Sequence, residues 1–185
     1  MSLTKLISSK KTVFSVEDLS KILNIYNRNY LKVLLLRMVK RKEIIRIRRG
    51  IYSYAHEYNP YELANKLKRP SYVSFERILY NNGVIFQDSS NKITSISNNS
   101  YFEKIGNISY QYYKIKNDIL YDPTGVLIEK DARVASIERA ICDTIYLSKN
   151  YFFDNLSKIN MEKLSTISQI YNKRTKQEVA KICLM

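Results

Sequence analysis

The sequence contains no tryptophan, four glycines, three prolines, two cysteines and a single histidine. Each scarcity narrows the reading. Glycines stand only at positions 50, 83, 106 and 125, so there is no glycine-rich loop of the kind that cradles phosphates. Cys142 and Cys183 make neither a metal-ligand spacing nor a disulfide framework, and both are read as small buried apolar residues in a reducing cytoplasm. His56 is read as a surface or packing residue. Cys142 has no histidine near it in sequence and falls on the inward face of its helix, which argues against a nucleophile. The longest apolar block, Val33 to Leu36, is broken by Arg37 and falls far short of the roughly 20 residues that a membrane span needs. The first residues, Met1 to Ile7, show no long apolar run and no small-residue cleavage site, so a cytoplasmic protein without a membrane partner is expected.

Acidic residues are the most telling shortage. The first 55 positions hold thirteen Lys and Arg but only Glu17, Asp18 and Glu43, a net of +10 out of the chain's +14. These cations are not in a loose tail. They punctuate helix-like segments and end in an arginine-rich run, the pattern that a polyanionic duplex attracts, because each neutralised phosphate releases a condensed counterion.

The pattern along the chain supports a folded module. Leu3, Leu6 and Ile7 predict a short first helix. Ser15 and Asp18 have the spacing of a capping box at the start of a second helix, with Val16, Leu19, Ile22 and Leu23 as its apolar stripe. Residues 24–27 form the connecting turn. A third helix is predicted from Arg28 to about Arg41, with Leu31, Leu34, Leu35, Met38 and Val39 inward and Asn27, Arg28, Asn29 and Lys32 outward, suited to base edges or phosphates. The period then changes to two. Ile45, Ile47 and Ile51 share one face, Arg46 and Arg48 the other, and Arg49-Gly50 makes the tight turn. Arg46, Arg48 and Arg49 are expected to grip the backbone or enter the minor groove, with Lys10 and Lys11 as outer phosphate contacts. Helices followed by a basic hairpin is the order of a winged helix-turn-helix.

From residue 56 the composition changes, with no long linker. A helix is predicted after Pro60, a second over Ser71 to Tyr80, strands at 84–86, 92–97, 108–115, 125–129 and 133–135, a firm helix around Ile137 to Leu147, and two more helices over about 160–171 and 173–182. The expected fold class is α+β: an N-terminal winged helix-turn-helix over 1–55 and a mixed α/β C-terminal domain over 56–185.

Three stretches carry a family resemblance. Arg46-Ile47-Arg48-Arg49-Gly50-Ile51-Tyr52 has the form of a basic wing. Pro60-Tyr61-Glu62-Leu63-Ala64, followed by Pro70 to Glu76 and on through Leu79 and Gly83, is the second. Ala135 to Asp143 is the third. In this order the chain resembles the AbiEi-type antitoxins, regulators of the AbiE type IV toxin–antitoxin systems of bacterial phage defence. It departs from them at Lys42-Glu43, where many relatives have a glycine, and at Arg77, where a smaller residue is commoner. The resemblance implies a winged domain that binds inverted repeats in its own promoter and represses the operon. It also implies a C-terminal domain that counters a nucleotidyltransferase-like toxin without forming a stable complex. The scarcity of catalytic residues, with one histidine and no glycine-rich loop, leads one to expect no enzymatic activity and no cofactor.

Two other readings use the same residues. A metal-dependent nuclease would need converging carboxylates and a lysine, for which Asp118 or Asp122 with Glu129-Lys130 gives only a faint echo, since residue 131 is Asp rather than Lys. A winged regulator that answers to a ligand or partner, with no toxin, is the main alternative.

Overall fold

The computed structural model describes residues 2–148 and 151–184, and the chain divides between residues 67 and 68 into two compact units.

The first unit opens with α1 (Ser2–Ser8), β1 (Val13–Ser15), α2 (Val16–Leu23) and α3 (Arg28–Lys40). The start of α2 is set locally. Ser15 Oγ accepts from the Asp18 amide while the Asp18 carboxylate accepts from the Ser15 amide at 2.8 Å, the reciprocal pair that satisfies two orphan donors of a helix start. Asn24 ends the helix in the left-handed conformation. β2 (Ile45–Arg48) and β3 (Ile51–Ser53) follow, and β1 joins them in a three-stranded antiparallel sheet of order β1-β3-β2. Leu6, Phe14, Leu19, Leu23, Leu31, Leu35, Met38 and Ile44 form the core. Burying each such side chain contributes about 1.5–3 kcal/mol against leaving it in water.

The unit continues past the hairpin. α4 (Pro60–Leu67), expected to open the second part, packs on β1 within the first unit. The contact is polar as well as apolar: the buried Glu62 carboxylate accepts from the amides of Thr12 and Val13, each at 2.8 Å. Those amides precede and begin an edge strand and would otherwise lack a ladder partner. Lys66 Nζ reaches Asp18 Oδ2 at 2.6 Å, tying α4 to the α2 cap.

The second unit is built on a six-stranded mixed sheet of order β6-β7-β5-β4-β9-β8: β4 (Ser71–Val73), β5 (Lys92–Ser97), β6 (Tyr101–Ile105), β7 (Ile108–Lys114), β8 (Val126–Glu129) and β9 (Ala132–Ala135). The central β4 is buried throughout, whereas the edge strands β6 and β8 are largely open. Helices α5 (Glu76–Asn81), α6 (Asn117–Tyr121), α7 (Ile137–Leu147), α8 (Met161–Ser168) and α9 (Lys173–Cys183) complete it. Residues 138–145 of α7 are buried without interruption, so this helix is covered on every side.

Several expectations are corrected here. Ser71 to Tyr80 is a strand and then a helix, not one helix. Tyr72, Phe75, Ile78 and Leu79 have helical spacing, but Tyr72 and Val73 sit between β5 and β9 in the sheet, and Phe75 at φ +63° breaks the run before α5. Residues 84–86 make no strand; the Val84 carbonyl instead accepts from the amides of Asp154 and Asn155. β6 and α6 were not expected. Cys183 is half-buried rather than buried, with its thiol 3.7 Å from the Met161 carbonyl.

Candidate nucleic-acid interface

α3, like α1, carries no carboxylate, and it holds Arg28, Lys32, Arg37 and Lys40. Its buried line is Leu31, Leu35 and Met38. Everything opposite faces solvent: Arg28, Asn29, Tyr30, Lys32, Val33, Leu36, Arg37 and Lys40. Of the predicted contact residues on this helix, Arg28, Asn29 and Lys32 therefore project outward as expected. Asn27 has a structural task as well. It is the N-cap of α3, and its side-chain carbonyl accepts from the Tyr30 amide at 3.0 Å.

The hairpin departs from simple alternation. Arg46 pairs across from Tyr52 and Arg48 across from Ile51, with a bulge between them. Tyr52 and Ile51 are neighbours on β3 and point to opposite faces, so Arg46 and Arg48 do too, not to the same face as the period of two implied. Arg46 and Arg49 are exposed, and Arg48 is half-buried. Gly50 makes the turn at φ +83°, and its carbonyl accepts from the Val16 amide at 3.2 Å, pinning the hairpin tip to the start of α2. The buried apolar residues here are Ile44 and Ile51, while Ile45 and Ile47 are only half-buried.

Lys10 and Lys11 are not beside that tip. β1 runs antiparallel to β3 with Val13 opposite Ser53, so both lysines precede β1 at the end of the sheet where Ile45 lies, away from Arg49 and Gly50. Lys10 is exposed and Lys11 half-buried. Lys42, where the family resemblance leads one to expect glycine, holds φ +59°, the conformation that glycine adopts without strain. Residues 1–67 together carry fourteen basic and five acidic side chains, a net of +9.

Val33, Leu36, Arg37 and Lys40 were not among the residues expected on this face. Helical phase alone would have found them, since each lies on the side away from Leu31, Leu35 and Met38.

Residues 1–55 match the family described as transcriptional regulator, AbiEi antitoxin. The resemblance to the AbiEi antitoxins is shown over that stretch. It covers α1 to β3 and includes the basic hairpin. No curated protein matches the chain.

Beyond residue 55, the Pro70–Glu76 part of the second resembling stretch and the third stretch meet inside the second unit. Arg139 and Asp143, one turn apart on α7, are both wholly buried, with Nε and Oδ1 3.6 Å apart. The Asp143 carboxylate accepts from Ser74 Oγ at 2.7 Å, Tyr72 Oη at 3.1 Å and Tyr171 Oη at 2.6 Å. Arg139 donates to the carbonyls of Ile119 at 2.6 Å and Thr124 at 2.7 Å and to Tyr72 Oη at 3.0 Å. Burial pushes the Asp143 carboxyl up, against the pull of Arg139 and the three hydroxyls. For Arg139 burial acts downward, but Asp143 and the two tyrosines outweigh it and keep the guanidinium charged. Gly125 closes over the pair at φ +76°; a Cβ there would come within 2.7 Å of Ile167 and 2.9 Å of the Arg139 Cβ. This is an interior brace without access for a substrate. Burial also pushes the neighbouring Cys142 thiol well up, which removes its nucleophilic form.

Arg77, the other departure from the family pattern, donates to the Ser89 carbonyl at 3.1 Å and holds the loop before β5. Asp118 lies on α6, the Asp122 carboxylate accepts from the Thr124 amide at 2.8 Å, and Glu129 and Lys130 are at the far end of β8. Among the described residues no group of three or more His, Cys, Asp and Glu is placed to hold a metal, and no helix is long and apolar enough to cross a membrane.

Proposed function

We propose that the first unit is a winged helix-turn-helix that docks on duplex DNA, with α3 as recognition helix and the β2–β3 hairpin as wing. The observation that carries this is the conjunction, in one unit, of an acid-free solvent face on α3 and exposed Arg46 and Arg49 on the hairpin. Arg28, Asn29 and Lys32 begin that helix face, Asn27 caps it, and Arg48 lies within the hairpin. Lys10 and Lys11, at the other end of the sheet, act as outer phosphate contacts. Supported by the family match, the DNA is the protein's own promoter, bound at inverted repeats so that the operon is repressed. The chain acts in the cytoplasm as antitoxin of a type IV system in phage defence. Its functional partner is a nucleotidyltransferase-like toxin, countered through residues 56–185 without a stable complex. No catalytic step or cofactor is assigned.

Two measurements test this. Purified protein should retain a duplex of its own upstream region at moderate salt while unrelated duplexes dissociate; equal retention of both refutes the promoter reading. Co-expression with the neighbouring gene should relieve that gene's growth arrest, and residues 68–185 alone should retain relief if they fold. Growth arrest unchanged by the full chain refutes the antitoxin reading.

A second reading, a regulator answering to a small ligand, is favoured by one feature. A cavity of about 370 Å³ lies among Ile145, Phe153, Leu156, Arg174 and Ile182 in the second unit. An isolated gene, with no toxin frame beside it, supports that reading over the antitoxin.

A further inference from the structure

We infer that α3 selects thymine-bearing sites by contacting the C5-methyl groups of the major groove with Val33 and Leu36. The inference rests on the DNA-binding reading above and adds what is read there. At 100° per residue, Asn29, Val33, Leu36 and Lys40 fall within an arc of about 60° at the centre of the exposed face, opposite Leu31, Leu35 and Met38. Val33 is 45% and Leu36 56% exposed. Arg28 and Lys32 flank this line on one side and Arg37 on the other. A helix seated in a groove by such flanking cations presents its central line to the base edges and its flanks to the two phosphate backbones.

The chemistry of that central line is specific. Between Asn29 and Lys40 this line holds neither arginine nor lysine, so the bidentate contact to guanine O6 and N7 has no donor at its middle, where Val33 and Leu36 lie. Two branched aliphatic side chains stand there instead, and thymine alone among the bases offers a methyl group to the major groove. Asn29, on the same line, has the amide geometry that pairs with adenine N6 and N7, so one helix face can read both members of an A·T pair. The charge pattern decides between DNA and a second copy of this chain as the occupant. Arg28, Lys32, Arg37 and Lys40 surround the apolar pair with no carboxylate on the helix, so two such faces repel each other, whereas a phosphate-walled groove is complementary.

The test uses the upstream duplex of the gene, synthesised with thymidine or with deoxyuridine, which lacks only the C5-methyl and keeps the base pairing. Each methyl withdrawn from water is worth roughly fourfold in affinity, so two contacts predict roughly 15-fold weaker binding to the uracil duplex. The Val33→Ser, Leu36→Ser double variant should bind both duplexes alike, with an unchanged salt dependence. Equal affinity of the unaltered protein for the two duplexes overturns the methyl contact and leaves DNA binding intact. Discrimination that persists in full in the double variant also overturns it, because the methyls are then read elsewhere. Failure to bind either duplex at low salt sinks the DNA reading itself.

Discussion

Replacing Asp143 by Asn changes one atom's identity and removes one charge, and it leaves the Arg139 guanidinium alone in the interior of the second unit. Both side chains are wholly buried, so no solvent takes over the lost partner. Removing one member of a buried ion pair costs about 3–5 kcal/mol, because the remaining charge keeps its desolvation penalty. The amide oxygen can still accept from the Tyr72 and Tyr171 hydroxyls, which share Oδ1, but the amide nitrogen in place of Oδ2 cannot accept from Ser74, so one hydrogen bond is lost together with the charge. A whole domain has only about 5–15 kcal/mol to lose. At about 4 °C per kcal/mol for a unit of this size, the melting transition of the second unit should fall by about 12–20 °C. Thermal unfolding followed by far-ultraviolet circular dichroism of the full chain reads this directly. The decisive comparison is with Arg139→Met and the double variant. With both charges gone, the double should be less damaging than the two singles added together, by more than about 1 kcal/mol. A shift under about 4 °C for Asp143→Asn, or strict additivity, refutes the claim that the pair braces α7 against β4 and the segment before α9.

Other expectations follow from the first unit. If about five phosphates are neutralised, log affinity for DNA should fall against log salt with a slope of about −4 to −5, and Arg46→Ala with Arg49→Ala should flatten it by about one to two units; an unchanged slope means that the hairpin is off the DNA. Lys42→Gly should raise stability by up to about 1 kcal/mol in urea unfolding, since a left-handed residue with a Cβ is strained and the gain exceeds the added chain entropy; destabilisation refutes the strain. Burial pushes the Asp18 carboxyl up, but the hydrogen bonds from Lys66 and Ser15 outweigh it and hold the group below the ordinary aspartate range. A lowered folded pKa means stability that is present above the ordinary value and lost as pH falls through the folded one. The advantage of the native protein over Asp18→Asn should therefore shrink below about pH 4 in equilibrium unfolding, and an advantage constant from neutral to acid pH refutes the linkage.

Much of the front of this molecule was legible because its determinants are local. The Ser15–Asp18 box, the inward line of α3 and the turn at Gly50 each depend on residues a few positions apart. The same holds for α7 to α9, whose stripes are long enough to show a helical period. The candidate site was legible in part: Arg28, Asn29, Lys32, Arg46 and Arg49 reach solvent as the pattern implied. Arg48 does not share Arg46's face, because a bulge cannot be seen in a string of alternating residues. Val33 and Leu36 belong to the longest apolar run of the sequence, yet the phase of α3 against Leu31, Leu35 and Met38 turns them outward.

Other features were decided only by tertiary structure. Ser71 to Val73 is a strand because β5 and β9 offer it backbone partners on both sides, a long-range circumstance that outweighs the helical spacing of its neighbours. Glu62 joins α4 to the first unit across 49 residues of chain, by accepting from the Val13 amide. Arg139 and Asp143 look like surface charges on a helix until Ser74, Tyr72 and Tyr171 close around them. Sequence alone determined the local geometry and the charge of this protein, because caps, turns and periodicity act within a few residues. Which polar groups are buried, and which apolar ones are left open to a partner, depended on segments brought together from distant parts of the chain.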